Sequence, residues 1–179
     1  MAEDVTIVRY VETAQTSELT AALDAIFFEA SNTRSFSNED DRQAFRERWL
    51  GRYLRDDPQF AYVALTTTGE LVGYIVGSVD DPARSPRLGD IPYFAAFREL
   101  TCRYPAHLHV NLASASRNRG IGGRLIETFT ADAKAAGASG VHVVTSAGAA
   151  NVRFYNRNGF VELGRAGNDK PLVFLARAI

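Results

Sequence analysis

The chain reads as an α/β domain with a central, mixed and mostly antiparallel sheet flanked by helices. Three observations predict it. Runs rich in β-branched residues alternate with stretches whose apolar residues recur at helical spacing. Two neighbouring runs are joined by a short glycine turn of hairpin type. A glycine-rich turn separates another run from a long amphipathic segment. With 179 residues, 46% hydrophobic and 23% charged, the chain suits one domain over residues 1–179.

Residues 5–11 (VTIVRYV) are short and β-branched, which predicts the first strand. From Ser17, a residue able to cap, Leu19, Leu23, Ile26 and Phe27 recur as one helix face. The polar stretch 31–40 is a loop, and a second amphipathic helix carries Phe45, Trp49 and Tyr53 before stopping near Asp57-Pro58. Residues 60–66 and 70–79 are strand-like about Thr67-Thr68-Gly69. Prolines and charges make 80–90 a loop, and 91–100 reads as a short helix. Tyr104-Pro105 forces extended backbone ahead of a strand at 106–113. Ile121, Leu125, Ile126, Phe129 and Ala133 then mark a helix that ends at Gly137. A strand at 141–147, a short helix at 149–158 and closing strands at 160–164 and 171–178 complete the order.

Bulk properties exclude several functions. A net charge of -1 provides no global field for nucleic acid or an anionic membrane, so any positive site is local. Cys102 is the only cysteine, which excludes an intramolecular disulfide and a multi-cysteine zinc cluster; no metal is expected. The start, MAEDVTIVRY, is acidic and lacks the form of a secretory signal. No apolar run approaches the roughly 18 residues of a membrane span, so a cytoplasmic protein is the expectation.

The stretch SRNRGIGGRL (116–125) puts three arginines and three glycines at the start of a helix. First-turn amides lack intrahelical partners there, and glycine at 120, 122 and 123 lets a ligand approach them. Those amides and the helix dipole favour phosphate or pyrophosphate, with Arg117, Arg119 and Arg124 at the rim. A glycine-rich turn without a ligand is the bland alternative. No lysine of P-loop type follows, and the dinucleotide fingerprint lacks its third glycine and its acidic residue.

What remains, Arg117-x-x-Gly120-x-Gly122, resembles the signature of the GNAT acyltransferases. A second block, VHVVTSA followed by NVRFYNRNGF (151–160), strengthens the likeness. More narrowly, YPAHLHVNL (104–112) together with residues 140–160 resembles the branch containing the acetyltransferase-like domain of protein O-GlcNAcases and its bacterial stand-alone relatives. That branch usually has an aspartate at the position of Asn111.

The resemblance implies an acetyl-CoA-dependent N-acetyltransferase acting by direct attack of an amine in a ternary complex. It places the pantetheine arm along Leu112, Ala113 and Ser114. The pyrophosphate falls to Arg117, Asn118, Arg119, Gly120, Ile121, Gly122, Gly123 and Arg124. Asn151, Phe154 and Tyr155 lie beside the cofactor. Tyr155 is the implied acid for the leaving sulfur, and a packed core tyrosine is the alternative. His107, His109 and Asn111 share one strand face where an amine would approach, so His109 or His107 is the candidate base. Asn111 cannot accept a proton, which leaves a histidine or a water chain, or a non-catalytic acetyl-CoA-binding or interaction domain. Phe36, Tyr93, Phe94 and Phe97 are candidates to line an acceptor groove, with core packing the commoner alternative; Asp90 or Glu39-Asp40-Asp41 is the candidate to attract a cationic amine, with a solvated charged face the alternative for the acidic run. The acceptor, a small molecule or a peptide, stays open, and an exposed sheet edge would permit a homodimer.

Overall fold

The protein is described from a computed structural model covering residues 4–179; residues 1–3, the start of the stretch read above for a targeting signal, lie outside it. β1 (Val5–Arg9) ends earlier than its apolar run, because Tyr10 turns inward, buried, and its carbonyl accepts from both the amide and the hydroxyl of Thr13. α1 (Ser17–Ala30) is capped by Thr16, not by Ser17: the Thr16 hydroxyl oxygen accepts from the Leu19 amide at 3.2 Å. Replacing Thr16 with alanine is expected to cost about 1 kcal/mol, read as a shifted urea midpoint with an unchanged slope.

α2 (Glu39–Arg46) starts at Asn38, whose side chain accepts from the Asp41 amide. It continues through one π-helical segment, Glu47–Gly51, into α3 (Arg52–Asp56), and Leu50 and Tyr53 are fully buried there. The hairpin forms as its sequence predicts, β2 (Tyr62–Thr66) with β3 (Leu71–Ser78). Its loop is closed by Thr66 N–H to Glu70 O and Gly69 N–H to Thr66 O, with Gly69 at φ +83°. The single short helix expected at 91–100 is two, α4 (Tyr93–Ala96) and α5 (Arg98–Arg103), broken at Phe97, whose ring packs on Phe174. β4 (Ala106–Leu112), α6 (Ile121–Ala135), β5 (Gly140–Ser146), α7 (Asn151–Arg157), β6 (Val161–Ala166) and β7 (Leu172–Ala178) follow in the expected order. Gly137, at φ +91°, closes α6.

The seven strands run in the order β1-β2-β3-β4-β5-β7-β6. β4 pairs parallel with β5, whereas the β1–β2, β2–β3, β5–β7 and β6–β7 pairs are antiparallel, so the sheet is mixed. The described residues divide into two compact units, the first running to Gly77 and including His109–Phe129, the second Ser78–Leu108 with Thr130–Ile179. The first has a core of Leu23, Ile26 and Phe27 from α1 with Leu50, Tyr53, Val63, Tyr74 and Val76. In the second, Phe97, Phe174 and Ala176 pack with Tyr104, Val144 and Leu172. Among the described residues no helix is long and apolar enough to cross a membrane, and no cluster of candidate metal ligands occurs.

Candidate active site

In the first unit, β4 delivers the chain into a turn that reverses over Asn118 (φ +61°) and Gly120 (φ +79°). A Cβ on Gly120 would meet nothing within 4 Å, so the backbone lies open at that point. Ser116 N–H bonds Ala113 O and Arg117 N–H bonds Ser114 O, after which the next bonded amide is Arg124, to Gly120 O. The amides of residues 118–123 therefore donate to no acceptor among the described residues. A run of free amides at the N-terminus of a 15-residue helix fits an anion.

The three arginines differ in what they already do. Arg124 donates from Nη2 to Val5 O at 2.9 Å, which ties α6 to β1. Arg117 donates from Nε to Leu112 O at 3.2 Å and is exposed. Arg119 is exposed and pairs with no described group, so its guanidinium is entirely available. Upstream, Ala113 N–H bonds Val72 O on β3, and Leu112 packs its side chain beside Gly73, where any Cβ would collide with it. Ser114 hydrogen-bonds Glu29 at the end of α1 and so holds that carboxyl below the usual range. Ile121 is buried, as is Gly122.

His109 and Asn111 project from the same face of β4. His109 Nε2 lies 3.3 Å from the Tyr53 hydroxyl, with its ring edge-on to Trp49. Burial, with Arg52 adding a like charge, pushes it down to about 4, so it is neutral at pH 7. Asn111 donates from Nδ2 to the Tyr74 hydroxyl at 2.8 Å. Burial raises that phenol above its ordinary range. Asp24 and Arg46, joined at 2.6 Å, are close enough to act on it. No sequence spacing links Asp24, Arg46 and Tyr74, which is why the sequence alone did not single them out.

His109 makes stability depend on pH. Its folded value lies below the unfolded 6.5, so the unfolded chain binds more protons between pH 6.5 and 4. This contribution is complete above pH 6.5 and is lost as pH falls towards 4, by at most about 3 kcal/mol. His109→Gln is expected to flatten that part of the stability profile, measured by urea unfolding at stepped pH.

The second unit holds the other predicted residues. Tyr155 lies in α7, its ring buried between Phe154 and Phe160 with centroids 5.2 and 5.5 Å away. Its hydroxyl hydrogen-bonds no described group, and burial raises the phenol, which keeps it protonated. Asn151 is the first residue of α7; its Oδ1 accepts from Thr145 Oγ1 at 3.0 Å, leaving the amide nitrogen available. His107, the alternative base, is buried against Phe94 and His142. Of the two readings open for Phe94 and Phe97, core packing holds and groove lining does not: each is 3% exposed, with its ring packed on His142 or Phe174. Phe36 does line a hollow in the first unit.

A family model described as Acetyltransferase (GNAT) family matches residues 23–160. Among solved structures, SsHAT is 24% identical, with 97% of this chain and 98% of that one covered at a TM-score of 0.74. A ribosomal-protein-alanine N-acetyltransferase from Brucella melitensis is 26% identical, covering 97% and 99% at 0.63. A structure from Bacillus anthracis in complex with acetyl coenzyme A is 20% identical, covering 66% and 61% at 0.50.

Proposed function

The chain belongs to the GNAT acetyltransferase family, and from that membership we propose that it binds acetyl-CoA at residues 112–124 and passes the acetyl group directly to an amine. The observation that carries this reading is the run of unpartnered amides at residues 118–123, flanked by Arg117 and Arg119. Free N–H groups, a helix N-terminus and an uncommitted guanidinium together match a pyrophosphate. The pantetheine arm is assigned to residues 112–114 and to Asn151, whose free amide nitrogen is a donor for it. Phe154 lies beside it in this assignment.

Bound acetyl-CoA supplies a thioester carbonyl at which the C–N bond forms as the C–S bond breaks. Tyr155, protonated and without a hydrogen-bond partner, is the proposed donor of a proton to the leaving sulfur. The amine must lose a proton. His109 is neutral and has a lone pair, but a value near 4 makes it a weak base, so it serves best as the first acceptor of a relay that delivers the proton to solvent. Asn111, fixed on Tyr74, orients and does not accept.

The test is release of free coenzyme A thiol on mixing the protein with acetyl-CoA and a panel of primary amines. Amine-dependent release supports the enzyme. Acetyl-CoA binding without release for any amine supports the second reading, a binding domain without turnover, which the amide at position 111 favours.

A further inference from the structure

His109 and Asn111 on β4 each end on the hydroxyl of a buried tyrosine, but they are held unequally. His109 has several contacts: Nε2 lies 3.3 Å from the Tyr53 hydroxyl, and its ring meets those of Trp49 and Tyr53 with centroids 5.5 and 5.2 Å away. Asn111 is half-buried and directly precedes the segment assigned to the pantetheine arm. Its Nδ2 donates to the Tyr74 hydroxyl at 2.8 Å, and no other described group bonds this side chain. The last torsion of an asparagine is broad and roughly two-fold, so nothing intrinsic decides which end of the amide faces which way. The bond to Tyr74 decides it.

Tyr74 is a firm anchor. It lies on β3, 1% exposed, in the core of the first unit. β3 and β4 are drawn close at this level: Ala113 N–H bonds Val72 O at 3.0 Å, and a Cβ on Gly73 would stand 3.1 Å from Asn111 O. Burial raises the phenol, so it meets the amide as a neutral hydroxyl. With Nδ2 committed, Oδ1 is the end of the amide left for a ligand, and that atom only accepts. An uncharged primary amine carries two N–H groups and one lone pair. An acceptor on one N–H fixes the direction of the lone pair, which is the orientation that attack on a thioester needs.

We propose that Tyr74 is a positioning residue for acetyl transfer: by holding Asn111 Nδ2 it turns Oδ1 towards an N–H of the acceptor amine. The proposal rests on the acetyl-transfer reading. It moves no proton onto either residue; Asn111 orients the amine, and His109 remains the first acceptor of the amine's proton. Supporting side chains that lock a contacting group in this way matter because small errors in orientation cost rate.

The experiment is a double-mutant cycle over wild type, Tyr74→Phe, Asn111→Ala and the double variant. Release of coenzyme A thiol is followed with the primary amine of the panel that wild type acetylates fastest, and acetyl-CoA is titrated into the same samples. Tyr74→Phe keeps the ring and its packing, and a urea midpoint on each variant sets the folded fraction. Tyr74→Phe is expected to lower kcat about tenfold or more, with the acetyl-CoA dissociation constant within about twofold of wild type. In the Asn111→Ala background the same substitution is expected to change kcat by less than about twofold, because the amide it orients is gone. A tyrosine that only packs would cost the same factor in both backgrounds. Wild-type kcat in Tyr74→Phe, or equal losses in the two backgrounds, overturns the proposal and leaves the acetyl-transfer reading standing. No release by wild type with any amine removes that reading, and the proposal with it.

Discussion

Tyr155→Phe lowers acetyl transfer by about 100-fold or more while the acetyl-CoA dissociation constant stays within about twofold. The substitution removes one oxygen from a ring buried between Phe154 and Phe160, and the phenylalanine ring fills the same volume. The lost hydroxyl hydrogen-bonds no described group, so its removal orphans nothing and stability should change by no more than about 0.5 kcal/mol. A purely structural tyrosine would therefore give a variant indistinguishable from wild type in every assay. Steady-state rates and donor titrations on one preparation separate the two roles: wild-type kcat in this variant removes Tyr155 from the chemistry.

Reversing charge at the turn gives the second large effect. Arg117→Glu combined with Arg119→Glu is expected to weaken acetyl-CoA binding by about 100-fold or more, since two charge-assisted contacts become repulsions. Both side chains are exposed, and the one bond lost, Arg117 Nε to Leu112 O, is a surface contact, so the unfolding midpoint should shift little. Arg124 is deliberately spared because its bond to Val5 O belongs to the fold. Unchanged donor affinity in the double variant would show that the arginines do not face the anion.

Most of the fold was legible because its signals are local. Periodicity located α1 and α6, and the threonine-glycine turn located the β2–β3 hairpin. Where local signals met tertiary ones, the reading slipped. VTIVRYV looks like one strand throughout, but Tyr10 is drawn into the core and ends it at Arg9. Residues 91–100 look like one helix, but the burial of Phe97 on Phe174 breaks it in two. Composition leaves a groove-lining aromatic and a core one open at Phe94 and Phe97; the packing of the second unit decides for the core.

The anion turn was legible for a chemical reason: glycines and arginines crowded at a helix start are costly without a ligand. The acceptor side was not, since it depends on pairings distant in sequence. Asn111 is committed to Tyr74 across 37 positions, and Arg46 to Asp24 across 22. No spacing rule connects such residues.

The most direct test of the central claim is calorimetric titration of the protein with acetyl-CoA, with NAD and ATP as controls. Micromolar binding selective for acetyl-CoA is the predicted result and fits a pyrophosphate seated on the free amides of residues 118–123. No binding, or equal binding of ATP and acetyl-CoA, contradicts it.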